Sequence, residues 1–178
     1  VSLKGENIMS DKPISPQVMA KFKQYWPRFE NSKLYRDSDS ALGFDDNAPS
    51  VIQVYLSDMA EISGLKPAEW TIGDIRRSLE RFANEKTDDF DEIMTLLNTL
   101  RIIETFLDWL SAINALHLRE FDIWQVMDPI KTGLTDRIDA ALGIDELNES
   151  DDEQDADAAF IEEDEIADQS QDERYQPD

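Results

Sequence analysis

Between Asp88 and Leu116 the chain reads DDFDEIMTLLNTLRIIETFLDWLSAINAL, with no glycine or proline and with apolar residues recurring at helical spacing. One side carries Ile93, Leu96, Leu97, Leu100, Ile103, Leu107 and Leu110, and beside it run Ile102, Phe106, Trp109 and Ile113. The spacing predicts one long helix. A helix that is apolar over more than half its circumference has to be surrounded by other elements rather than laid on a surface. Asp88 and Asp89 stand just before the run, and Asp91 and Glu92 put negative charge at the helix's positive end, which marks its start.

The flanking sequence supplies the neighbours. Ser15-Pro16 has the form of a capping serine followed by proline at the first helical position, and Val18, Met19, Phe22, Tyr25 and Trp26 then make a short amphipathic helix expected to end at Pro27. Arg28 to Ala48 shows no sustained period and is expected to be an irregular, partly packed connection. Pro49-Ser50 opens a helix bearing Val51, Ile52, Tyr55, Leu56 and Met59, with Gly64 placed to stop it. Thr71 and Asp74 have capping-box spacing ahead of Ile72, Ile75, Leu79 and Phe82, while Arg76, Arg77, Arg81 and Lys86 point mostly away from that stripe. Beyond the central helix, Ile123, Trp124 and Met127 suggest a separate turn. Asp128-Pro129 then repeats the cap-then-proline signal for a last helix that Gly143 ends.

This reading is all-α: a five- to six-helix bundle around a long central helix, with a disordered acidic C-terminal tail. Residues 1–14 are a disordered or non-native leader, residues 15–48 pack on the bundle as a helix and a connection, residues 49–143 form the bundle domain, and residues 144–178 form the tail. The leader has a specific explanation. Lys4-Gly5-Glu6 can be encoded by a sequence containing a bacterial ribosome-binding site, and Met9 follows at initiation spacing, so Val1 is expected to be a misassigned GTG start. An intact mass that included Val1 to Ile8, from protein expressed behind its own upstream DNA, would exclude this.

Charge is distributed unevenly. Of 40 acidic and 17 basic residues, 16 and one fall between Ile144 and Asp178, so that stretch carries −15 of the net −23. Its low hydrophobicity cannot offset an ordering entropy of roughly 1 to 2 kcal/mol per residue, hence the expected disorder. A polyanion repels phosphate backbones, which argues against direct nucleic-acid binding and for a basic protein partner. Within the tail, Phe160 and Ile161, continued by Ile166 among acids, form the one cluster suited to folding against a partner's groove. Zero cysteines exclude disulfides, thiolate metal sites and a cysteine nucleophile, and fit a reducing cytoplasm. No apolar run has the length of a membrane span, and the protein is read as cytoplasmic.

Trp70-Thr71-x-x-Asp74-Ile75, then Leu79 and Phe82, then Leu100 and Phe106-Leu107-Asp108-Trp109-Leu110, resembles a helical module of uncharacterised bacterial proteins, some of them plasmid-borne. The order of helices is also similar to the core-binding domain of tyrosine recombinases, in which a Thr-capped helix precedes one ending in Phe-x-x-Trp-Leu. The resemblance implies a helical fold and transfers no activity. The Arg, His and Tyr constellation of a recombinase is missing, and the net charge has the wrong sign for gripping DNA.

Chemistry-bearing motifs are sparse, and neither catalytic residues nor cofactors are nominated. His117 is the single histidine, no G-x-S-x-G motif accompanies it, and it is read as a helix-end capping residue. Asp151, Glu153, Asp155, Asp157 and Glu162 follow an EF-hand-like count, but Ala156 replaces the glycine such a loop needs, so no metal site is assigned. The tryptophans are expected in the core, except that Trp26 or Trp124, if exposed, would mark a partner-binding surface. The expected function is a non-enzymatic helical interaction module whose acidic tail captures a basic partner, with homo-oligomerisation possible through an apolar face. Two alternatives are an acidic regulator that mimics nucleic acid and competes for a DNA- or RNA-binding protein, and a metal-dependent enzyme.

Overall fold

The computed structural model describes residues 13–44, 46–84 and 87–143. Among the described residues there are six α-helices and no strand. They are α1 (Pro16–Glu30), α2 (Lys33–Leu42), α3 (Ala48–Ile62), α4 (Ile72–Ala83), α5 (Phe90–Ala112) and α6 (Glu120–Leu142). The acidic tail, with Phe160, Ile161 and Ile166 and the calcium-like count, lies outside the described residues, as do residues 1–12.

Local chemistry explains where most helices start. Ser15 and Ser32 accept hydrogen bonds from the amides of Val18 and Tyr35, three residues on, and Asp89 does the same for Glu92. Each satisfies one of the donors that a helix start leaves orphaned. At α4 the capping box is reciprocal: Thr71 Oγ1 accepts from the Asp74 amide at 3.2 Å, and Asp74 accepts from the Thr71 amide at 3.0 Å.

The central helix is α5, and the residues of its two apolar stripes are buried as their spacing requires, with Ile113 at its C-terminal cap half-buried; Phe90 and Met94, off the stripes in its first turns, are exposed. Helices α2, α3, α4 and α6 pack around it, and α1 reaches it through Tyr25 and Phe29, whose rings lie 6.3 Å and 5.2 Å from that of Phe106. The helix is shorter than the apolar run. Asn114 turns the chain at φ +56°, and the amides of Ala115 and Leu116 both donate back to the Leu110 carbonyl. The run continues past the helix because Leu116 folds back into the core.

Three expectations are corrected. Helix α1 does not end at Pro27 but continues to Glu30, and the Asp128-Pro129 signal does not open a new helix but lies inside α6. Proline removes one amide and crowds the carbonyl four residues earlier, which costs about 3 kcal/mol in a helix interior. Both prolines are exposed, and so are Lys23 and Gln125, whose carbonyls lose their partners, so water can take those bonds. Beyond each proline, buried side chains hold the helix down: Phe29 in α1, Leu134 and Ile138 in α6. The third correction is α2, which occupies part of the stretch read as irregular. It buries no residue completely: of its apolar residues Leu34 and Tyr35 pack half-buried against the core while Leu42 is exposed, too few to be read as a stripe, and the helix is bounded by the Ser32 cap and by Gly43 at φ +65°.

Candidate functional site

The first turns of α6 read Glu120-Phe121-Asp122-Ile123-Trp124-Gln125-Val126-Met127. Ile123, Val126 and Met127 recur at i, i+3 and i+4 and are buried, on a helix whose main neighbour is α5. That register turns Phe121 and Trp124 outward. They are 55% and 47% exposed and stack on one another, ring centres 5.7 Å apart and planes 28° from parallel. The helix start is held from both sides. Asp122 accepts from the Arg119 amide and from its guanidinium, and Ser111 Oγ donates to the Leu118 carbonyl at 2.6 Å. Two large aromatics left in water on a well-anchored helix form an apolar patch of the kind interaction surfaces use.

Carboxylates flank this patch. Glu120 lies one turn before Trp124 and therefore on the same face of α6. Across the α5–α6 seam, Glu104 and Asp108 are one turn apart on α5, and Lys131 Nζ lies 2.5 Å from Glu104 Oε2. Burial pushes the Asp108 carboxyl up to about 7, the charges of Glu104 and Glu120 push in the same direction, and Lys131 opposes them. Among the described residues, the charges that act on one another around Asp108 are thus three carboxylates and one ammonium.

A second feature lies on α4. Arg77, Glu80, Arg81, Ala83 and Asn84 line an open surface groove of about 510 Å³, and Arg81 Nη1 contacts Asp58 Oδ1 on α3 at 2.6 Å. Behind that ion pair, Asp58 Oδ2, Tyr55 Oη and Ser78 Oγ are buried without a hydrogen-bond partner. Burial and the Asp58 charge push the Tyr55 hydroxyl far above its ordinary range, so it stays a neutral donor. Tyr55 and Asp58 are i, i+3 on α3, and Ser78 stands three residues before Arg81 on α4, a setting at the α3–α4 seam that suits a bridging water. No group of three or more His, Asp or Glu side chains among the described residues is placed to hold a metal ion.

The residues singled out from the sequence fall in different places. Trp124 is on the exposed patch. Trp26 is half-buried in an aromatic cluster between α1 and α2, stacked on Phe22 and edge-on to Phe29 and Tyr35. Trp70 and Trp109 are buried, and the Trp70 indole donates to the Gly64 carbonyl at 2.8 Å. His117 is exposed between the cap positions Ile113 and Arg119 and caps neither helix, because the turn at Asn114 ends α5 before reaching it. Sequence reasoning missed Phe121 and Asp108. The signal for Asp108 was a lone acid inside the apolar run Phe106-Leu107-Asp108-Trp109-Leu110; for Phe121 it was its place three residues before Trp124, off the Ile123–Val126–Met127 face.

Comparison with protein families, with curated proteins and with solved structures finds no match to this chain. No helix among the described residues is long and apolar enough to cross a membrane.

Proposed function

We propose that the helical unit is a non-enzymatic module for binding a basic protein, with the acidic residues 144–178 supplying electrostatic capture. The observation that carries this reading is the exposed, stacked Phe121–Trp124 pair beside a seam with more carboxylates than cations. The two parts would act at different ranges. A surplus of charge raises the rate of encounter and is screened by salt, whereas a desolvated aromatic contact sets how long a complex lasts. A cytoplasmic bacterial setting is part of the same proposal and fits a chain without cysteine.

The test is a pull-down from nuclease-treated bacterial lysate with the full chain, with a chain ending at Gly143 and with the full chain carrying Trp124→Ser, across a salt series. A basic protein held by both lengths and lost with Trp124→Ser supports the reading. A basic protein held only by the full chain and indifferent to Trp124 would place recognition in the acidic residues and favour nucleic-acid mimicry instead. An empty pull-down at low salt would remove the reading.

A further inference from the structure

We infer that the Phe121–Trp124 face of α6 is a docking surface for an arginine side chain on a basic segment of another protein, with Trp124 taking the guanidinium on its ring and Glu120 and Asp108 supplying the countercharge. This rests on the interaction-module reading and gives it a site and a chemistry.

The occupant follows from charge and shape together. An exposed tryptophan offers a broad π face, which attracts a cation and matches the flat guanidinium better than an ammonium. Glu120 stands on the same face as the ring one turn away, and its charge reaches Asp108 on the facing helix α5, one turn from Glu104. Lys131, the cation that acts on Asp108, is engaged with Glu104. An incoming arginine would supply the positive charge the seam lacks and cover apolar area that folding leaves exposed. A second copy of this chain fits worse, because the chain carries −23 and bringing two such surfaces together opposes like charges.

The experiment follows the indole N–H resonance of Trp124 in the ¹⁵N-labelled full chain, assigned by its loss in Trp124→Phe, during titration with a short peptide alternating glycine and arginine. A matched peptide with citrulline in place of arginine keeps the shape and removes the charge. The expected result is a saturable shift with the arginine peptide and none with citrulline. Substituting Asp108→Asn and Glu120→Gln together should weaken the response roughly fivefold or more, while leaving far-ultraviolet circular dichroism unchanged. Binding of the peptide to acidic residues elsewhere would not move this indole, so an unshifted Trp124 overturns the assignment. So does a shift that survives the double substitution, or one that grows with chain concentration before any peptide is added, which would identify a second copy as the occupant. If the indole stays still while a basic protein is captured in the pull-down, the assignment falls and the module reading stands. If it shifts while the pull-down is empty, the site stands without the broader reading.

Discussion

Lys131 on α6 places its ammonium 2.5 Å from a carboxylate oxygen of Glu104 on α5, with only 24% and 18% of the two side chains exposed. Asp108, one turn further along α5, is left between the carboxylates of Glu104 and Glu120 with a share of that one cation. The bundle thus keeps an acid at its surface seam that neutral pH only partly ionises.

Substituting Asp108→Asn should stabilise the protein above neutrality and do little in acid. With its folded value at about 7 and its ordinary value at 3.8, the carboxyl stays protonated in the folded chain over a window in which the unfolded chain has already released the proton. Stability therefore falls as pH rises through that window and the loss is complete above it. The gain for Asp108→Asn at about pH 8 is on the order of 1 kcal/mol once solvent access to the group is allowed for, and it vanishes near pH 4. Thermal unfolding of both proteins at the two pH values measures it, and an equal difference at both would refute the account.

Pro129→Ala should raise stability by about 1 to 2 kcal/mol. Alanine restores a helical amide for the Gln125 carbonyl and removes a clash, while losing some of proline's restriction of the unfolded chain. Urea denaturation of the two chains gives the difference directly, and a destabilised variant would mean that packing between α5 and α6 depends on a bend at this position.

Phe29→Ala should cost about 3 to 5 kcal/mol. The ring is fully buried, with centres 5.0 to 5.9 Å from those of Tyr35, Phe106, Trp109 and Trp26, so it joins α1, α2 and α5. Trp26→Ala, at the half-buried edge of the same cluster, should cost less. Chemical denaturation of both variants tests the order, and a larger loss at Trp26 would contradict it.

Trp124→Ser should change folding stability by less than about 0.5 kcal/mol, because nearly half of the side chain already faces water and its ring contact is with the equally exposed Phe121. A marked fall in the melting temperature would show that the pair serves the fold rather than a partner.

For this chain, local sequence determined what depends on neighbours a few residues away. The Ser15, Thr71 and Asp89 caps, the stop at Gly143 and the burial of the α5 stripes all follow from side-chain hydrogen bonds, backbone freedom and helical period, and each is legible in the sequence. Tertiary structure decided whether a helix survives its proline. A local penalty of a few kcal/mol is outweighed when the residues beyond it bury side chains such as Phe29 or Leu134 and the proline itself faces water. It also decided which tryptophan is covered, because Trp109 and Trp124 both sit in amphipathic helices. Only the rotation of each helix against its neighbours separates a ring at 5% exposure from one at 47%. The acid at Asp108 belongs to the same class, since its charge state depends on Glu120 and Lys131, which folding alone brings across from α6.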